Sequence, residues 1–209
     1  MSALTQPPTL IYWKIAARGQ LPVLLLSAGS VDFVYDDATA NAWPEEKEKM
    51  PFGQLPVLKI GDKMIAQSGA IVRYCAKIAN LLPADDLEVA TVDSIMEQCN
   101  DVFSAMVKAK YTEDDTKRKA AWKKFQHETL SQKMDRINTM LANTGEVFFG
   151  GKQPNAADVA IFSTLNLVEK AGVKLPQWSH LSVVYEKVAT VGTIPEYIAQ
   201  NLSAYVTME

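Results

Sequence analysis

Cysteine and histidine are both scarce, with two of each in 209 residues. Cys75 and Cys99 sit inside apolar helical patterns, with neither metal-ligand spacing nor the dense pairing of a secreted scaffold. A disulfide framework is excluded on that pattern, and a reducing compartment is expected. His127 and His180 have no ligand-type residues beside them, so no metal is expected. Long apolar runs are also missing. Leu21 to Ala28 is broken by Pro22 and is too short for a bilayer span, and MSALTQPPTL shows no basic stretch ahead of an apolar run. These features exclude a membrane role and make the cytoplasm the expected location. Excess positive charge is absent as well: 21 basic residues against 24 acidic ones give −3, which argues against a broad phosphate-neutralising surface and hence against nucleic acid as a partner. No repeat or low-complexity segment is evident.

What is present is the composition of a globular chain, 48% hydrophobic and 22% charged, long enough for one large domain or two small ones. Thr9 to Trp13 is β-prone, Leu21 to Ala28 is apolar and opens with proline, and Val31 to Tyr35 is β-rich again, which reads as a βαβ unit. Trp43 to Pro51 is charged and proline-bounded, hence loop or irregular helix. Leu55 to Ile60 then reads as a strand, Gly61-Asp62 as a turn and Lys63 to Ala66 as a hairpin partner. Ser68 is expected to cap a helix bearing Ile71, Val72, Cys75 and Ile78 on one face. Beyond Pro83 the β signals fade. Val92, Ile95, Cys99, Val102, Phe103 and Met106 follow helical spacing from about Leu87, with further helices over Asp114 to Leu141 and Asn155 to Ala171 and shorter ones after His180 and Pro195. The expected organisation is therefore an α/β domain over 1–83 and an all-α domain over 84–209.

Four clusters could carry chemistry, and each also has a plain structural reading. Tyr12-Trp13 closes the first strand, with Arg18 on the connection to the first helix. A phenol donating to a thiolate beside an arginine favours ionised sulfur, whose ordinary pKa is about 8.5, yet the same residues fit a core tyrosine and a surface arginine. In Phe52-Gly53-Gln54-Leu55-Pro56, a proline at a strand entry is where a cis peptide often sits, leaving the Leu55 main chain for an extended ligand; an ordinary loop-to-strand junction fits equally. Gln67-Ser68 opens a helix, where N–H groups attract a carboxylate, or where serine is simply a cap. Trp43 and Lys47, one helical turn apart, could share an anion or stand as an exposed loop pair.

Taken in order, these clusters resemble one family. The carrying residues are Tyr12-Trp13 with Arg18, Trp43-Pro44-Glu45-Glu46-Lys47, Pro51-Phe52-Gly53-Gln54-Leu55-Pro56, Gln67-Ser68-Gly69-Ala70-Ile71 with Arg73-Tyr74, and Val92-Asp93-Ser94-Ile95. They resemble the cytosolic glutathione transferases, most closely the sigma class, with a start similar to the mu class. Asn155-Ala156-Ala157-Asp158 resembles the family's capping box on the core helix. The resemblance implies a thioredoxin-like α/β N-terminal domain that binds glutathione as co-substrate, and an all-α C-terminal domain that completes an apolar pocket. It implies that Tyr12 addresses the glutathione sulfur and Arg18 helps keep it ionised. Trp43 and Lys47 would hold the glycyl carboxylate, and Gln54, Leu55 and Pro56 the cysteinyl portion through the Leu55 main chain. Gln67 and Ser68 would hold the γ-glutamyl carboxylate, and Asp101 would reach across a homodimer to the γ-glutamyl amine. Trp13, Ile15, Phe103, Met106 and Lys108 are the expected walls of the electrophile pocket.

The implied activity is detoxifying addition of the glutathione thiolate to small hydrophobic electrophiles, with peroxidase activity as an accompaniment. No cysteine precedes Cys75, which disfavours a glutaredoxin-type redox mechanism, so the nucleophile must come from glutathione. Two departures stand out. The chain has Ala16-Ala17 where sigma and mu proteins usually carry Arg-Gly. It has Lys108 where vertebrate prostaglandin D synthases of this class place tryptophan, and only Glu97, Asn100 and Asp101 where those carry a denser acidic cluster. The alternatives are a non-catalytic structural or ligand-carrying protein of the same fold, and a glutathione-dependent isomerase of the prostaglandin D synthase kind. Presence of Tyr12, Arg18, Gln67, Ser68 and Asp101 together favours the enzyme.

Overall fold

The computed structural model describes residues 6–43, 45–175, 178–200 and 202. Of the quoted segments, Pro44 and the first five residues of MSALTQPPTL lie outside them. Among the described residues, those up to Leu81 and those from Val191 onward form one compact unit, and Leu82–Thr190 forms the other. The first break follows Leu81. The chain's return to the first unit at Val191 differs from the expected two-part division.

The first unit is built on a four-stranded sheet of order β2-β1-β3-β4, from β1 (Thr9–Ile11), β2 (Val34–Asp36), β3 (Val57–Ile60) and β4 (Lys63–Ala66). β1 and β2 run parallel and the other two pairings are antiparallel, with Leu10 opposite Tyr35 on one side and Leu58 on the other. The parallel pair needs a crossover, which α1 (Gln20–Ala28) supplies. Pro22 lies in its first turn, where a missing N–H costs nothing. α1 packs against α3 (Ser68–Ile78), burying Leu24, Leu25, Leu26, Ile71 and Cys75 completely. Alternation along the strands sends Ile11 and Val57 to the opposite face from Leu10 and Leu58, where Met50, Trp43, Leu55 and Ala66 join them. A 3₁₀ turn at Lys47–Lys49 lies in the stretch expected as loop or irregular helix, and the short α2 (Ala38–Asn41) precedes that stretch. The last described helix, α9 (Ile194–Ala199), packs on α1, where Thr193 N–H donates to the Ser27 carbonyl at 3.0 Å.

The second unit is helical among its described residues. α4 (Asp86–Lys110) starts where Asp85 accepts from Leu87 N–H at 2.9 Å and Glu88 N–H at 3.0 Å, a cap contributing roughly 1 kcal/mol. α5 (Asp115–Lys124), a π-helical stretch at Phe125–Leu130 and α6 (Ser131–Thr144) follow one another directly. This is the single helix expected over Asp114 to Leu141, interrupted in its middle. α7 (Ala156–Lys170) is buried on nearly every side and packs on α4 and α8 (Ser179–Val188). Asn155 and Asp158 form its capping box. Asp158 Oδ1 accepts from Phe149 N–H at 2.9 Å, while Oδ2 accepts from Gly150 N–H at 3.2 Å and Asn155 N–H at 2.9 Å, so one buried carboxylate organises the whole entry loop. Among the described residues, no helix is long and apolar enough to cross a membrane.

Candidate functional site

A cleft of about 650 Å³ opens on the first unit, lined by Trp13, Arg18, Trp43, Lys47, Gly53, Gln54, Leu55, Pro56, Gln67 and Ser68. Nine of the expected site residues thus come together, drawn from the β1–α1 connection, the segment after α2, the entry to β3 and the start of α3. The local reasons are distinct. Trp13 and Trp43 meet edge to face with ring centroids 6.2 Å apart, and Trp43 is anchored by packing on the Ile11, Met50 and Val57 cluster. Gly53 has a left-handed φ of +57° and lies beneath the Lys47 side chain, whose Cε would be 3.4 Å from any Cβ placed there. The glycine therefore lets the lysine stem run close over the loop. The Leu55–Pro56 bond is cis, and sheet pairing begins only at Val57, so the Leu55 main chain lies beyond the ladder.

The start of α3 corrects one expectation. Ser68 is not the cap but the first helical residue; the cap position belongs to Gln67, at φ +70° and ψ +117°, with no side-chain capping bond. The left-handed φ at Gln67 turns the chain one residue earlier than the cap pattern suggests. Such backbone in a non-glycine residue costs on the order of 1–3 kcal/mol and gathers at functional sites. Both Gln67 and Ser68 face the cleft at the positive end of the α3 dipole.

Charge in the cleft is one-sided: the described lining residues include two cations, Arg18 and Lys47, and no carboxylate. With the indole N–H of Trp43 and the α3 N-terminus, this arrangement suits an extended ligand carrying two anionic ends. It offers an ammonium group no carboxylate among the described lining residues.

Tyr12 is not one of the residues lining the cleft: it is 6% exposed, and its ring meets that of the lining residue Trp13 edge to face at 5.5 Å. Ile15 is half-buried on the same connection. The remaining expected residues lie on α4 in the other unit. Phe103 is buried, Met106 is buried to 1%, and Lys108 is exposed, so Met106 has almost no surface for a ligand. Asp101 is exposed and its Oδ2 pairs with Lys133 Nζ at 3.0 Å, which also reaches Gln98 Oε1 at 3.1 Å. The two thiols are chemically quiet, since burial pushes both Cys75 and Cys99 up to about 12. Among the described residues, no three His, Cys, Asp or Glu side chains gather as a metal site.

Three residues of the site were not foreseen. Gly53 has no expected role in Phe52-Gly53-Gln54-Leu55-Pro56, although a glycine in a loop just ahead of a strand is a usable signal for a left-handed turn. Gly19 lies against the Tyr12 ring, and Tyr35 donates to the Trp13 carbonyl at 2.7 Å. Neither contact has a sequence signature.

Comparison with known proteins bears on this geometry. Residues 8–77 match the glutathione S-transferase N-terminal domain model and residues 100–201 a glutathione S-transferase C-terminal domain model. A glutathione S-transferase of Anopheles gambiae is 30% identical over 194 residues, covering 91% of this chain and 94% of that protein. Among solved structures, the prostaglandin synthase D of Nilaparvata lugens superposes with a TM-score of 0.80 at 25% identity, covering 93% of this chain and 98% of the other. The glutathione S-transferase of Ascaris lumbricoides does so with a TM-score of 0.75 at 28% identity, covering 93% and 97%.

Proposed function

The chain belongs to the glutathione S-transferase family, and on that premise we propose that it is a transferase joining the glutathione sulfur to small apolar electrophiles. The observation that carries this reading is the convergence of nine residues from four separate stretches of sequence on one cleft with two cations and no acid. Glutathione is a tripeptide with two carboxylates, one amine and one thiol, and a cleft of about 650 Å³ has room for it. Its glycyl carboxylate is addressed by Lys47 and the Trp43 indole N–H, and its γ-glutamyl carboxylate by Gln67, Ser68 and the α3 N-terminus. Its cysteinyl segment pairs with the Leu55 main chain, flanked by Gln54 and Pro56. Opposite charges fix the tripeptide's two ends, which leaves the sulfur to the β1–α1 connection. There the Tyr12 hydroxyl donates to the thiolate and Arg18 supplies a favourable field, so the anion is populated near neutral pH and attacks the electrophile. The same thiolate reduces organic hydroperoxides as a second activity.

The γ-glutamyl amine finds no acid in the cleft, which supports a homodimer in which Asp101 of the neighbouring subunit meets it. Exposed Phe52, on the loop beside Gly53, supports the same association, since a large aromatic side chain 65% exposed is suited to burial against a partner. Met106, 1% exposed, drops out of the electrophile pocket, while 1–83 as the glutathione-binding domain, joined by the segment from Val191, is retained as part of this reading. So are sigma-class character with mu-like features at the start, a detoxifying role and a cytoplasmic location. The likeness to the Nilaparvata lugens prostaglandin synthase favours one second reading, glutathione-dependent isomerisation, in which the thiolate adds and leaves again.

Retention on immobilised glutathione followed by turnover of a chlorodinitrobenzene tests the reading. Tyr12→Phe is expected to keep glutathione affinity while lowering turnover about tenfold or more at neutral pH, the mark of a lost donor to a developing or resident anion. Failure of both retention and turnover in the parent protein supports the non-catalytic alternative instead.

A further inference from the structure

We propose that Gly19 and Tyr35 are positioning residues that fix the Tyr12 phenol, Gly19 by placing bare backbone against the ring and Tyr35 by tying down the next carbonyl. The inference rests on Tyr12 acting on the glutathione sulfur.

Gly19 immediately precedes α1 at φ −79°, a conformation open to any residue, so its backbone conformation does not require glycine. Space does. A Cβ on Gly19 would lie 2.5 Å from Tyr12 Cδ1, 3.0 Å from Cγ and 3.2 Å from Cε1. Carbon atoms settle about 3.5–4.0 Å apart, so Cδ1 would have to retreat by about 1 Å. Cγ and Cδ1 are the root of the ring rather than a flexible end, Cε1 adjoins the carbon that carries the hydroxyl, and the ring is 6% exposed with Trp13 against it at 5.5 Å. Displacement at the root is magnified at the hydroxyl, which lies farther from the pivot at Cβ.

The main chain around Tyr12 is held from β2 at both sides. Tyr12 N–H donates to the Asp36 carbonyl at 3.2 Å, and the Trp13 carbonyl accepts the Tyr35 hydroxyl at 2.7 Å together with Ile15 N–H at 2.7 Å. The Tyr35 donor is durable. Burial first, then the neighbouring Tyr197, Tyr12 and Asp37, hold its phenol protonated well above the ordinary tyrosine range. Ring and backbone of Tyr12 are thus each restrained by a residue outside the lining of the cleft. A misplacement of about 1 Å at a reacting group costs on the order of 100-fold, so these restraints bear directly on thiolate stabilisation.

The test compares Gly19→Ala, Tyr35→Phe, Tyr12→Phe and the Gly19→Ala/Tyr12→Phe double variant. The readouts are the pKa of enzyme-bound glutathione, from thiolate absorbance against pH, and kcat and KM with a chlorodinitrobenzene. Gly19→Ala is expected to raise the bound thiol's pKa by about one unit and lower kcat about tenfold below that pKa, with glutathione KM changed less than about twofold. Tyr35→Phe moves both in the same direction by about threefold, and it carries the test should Gly19→Ala not fold. Added to Tyr12→Phe, the Gly19→Ala change produces no further shift. The proposal is overturned if Gly19→Ala and Tyr35→Phe leave the thiol pKa at the parent value, or if Gly19→Ala lowers kcat by the same factor with and without Tyr12. A Tyr12→Phe chain matching the parent in both readouts removes the Tyr12 reading itself, and the proposal with it. An intact effect of Tyr12→Phe beside inert Gly19→Ala and Tyr35→Phe removes the proposal alone.

Discussion

Replacing Asp158 tests how much of the helical unit hangs on one carboxylate. The side chain is fully buried and accepts three backbone N–H groups, from Phe149, Gly150 and Asn155. Orphaning a buried donor costs about 1–3 kcal/mol, so Asp158→Ala, which orphans all three, has an upper range of about 3–9 kcal/mol. Water entering the space lowers this to about 4 kcal/mol. Asp158→Asn is gentler. With its oxygen turned toward Gly150 and Asn155 it forfeits only the Phe149 bond, at about 2 kcal/mol. At roughly 2–4 °C per kcal/mol for a chain of this size, the melting temperature should fall by about 8–16 °C for alanine and 4–8 °C for asparagine. Scanning calorimetry reads both. Activity per folded molecule should hold, because none of these residues lines the cleft. Burial, the largest influence, raises the Asp158 carboxyl above its ordinary range while the backbone donors pull the other way. A carboxyl raised on folding contributes stability that is complete below its unfolded value of about 3.9 and lost as pH climbs through the folded one. The gap between parent and Asp158→Asn should therefore narrow as pH rises through the acid range. Melting temperatures of both variants within about 2 °C of the parent would refute the loop-organising role, and a gap that widens would show that the donors outweigh burial.

Gly192→Ala should destabilise by roughly 2 kcal/mol or more, because φ there is +53° and a Cβ would overlap the Ser27 carbonyl; a parent-like melting temperature contradicts the close packing of the returning segment on α1. With both thiols pushed up to about 12, an alkylating reagent at about pH 8 should label neither Cys75 nor Cys99 in native protein and both after unfolding; rapid native labelling contradicts their burial. A Tyr12→Phe chain paired with an Asp101→Asn chain puts both lesions in one site of a heterodimer and leaves the other intact, so the heterodimer should recover about half the parent activity. Activity no higher than that of either parent variant would mean that Asp101 does not act across the dimer. Lys133→Gln releases Asp101 from its 3.0 Å partner and should tighten glutathione binding about threefold, read by calorimetric titration; weaker binding would make Lys133 the residue that orients Asp101.

The sheet was legible because its signals are local. Proline at the entry to β3, Gly61-Asp62 at its exit and the apolar pairs of β1 each depend on a few neighbouring residues. The same locality explains the misreadings. Ser68 looks like a cap because serine before an apolar periodic run usually is one, and nothing in the neighbouring letters reveals that Gln67 takes a left-handed turn instead. α2 is only four residues long, too short for periodicity to show. α5 buries little beyond Trp122, so its polar sequence merged with α6 into one expected helix, and the π-helical stretch between them left no mark.

The cleft presents a different problem, because its residues come from stretches as far apart in sequence as Trp13 and Ser68 and only the order of motifs along the chain could associate them. What that order supplies is the set of residues that line the cleft. It says nothing of those that touch the touching residues. Gly19 reads as a helix boundary and Tyr35 as an ordinary β-strand aromatic, and each owes its place near Tyr12 to the β1–α1–β2 crossover rather than to any pattern of its own. In a crossover the parallel partner strand returns beside the first, so the end of β2 necessarily lies next to the end of β1, where Tyr12 N–H meets the Asp36 carbonyl. The residues that set the phenol's pose are therefore dictated by topology. A motif can be carried unchanged onto a chain whose supporting residues differ, and the strength of thiolate stabilisation then depends on positions the motif does not contain.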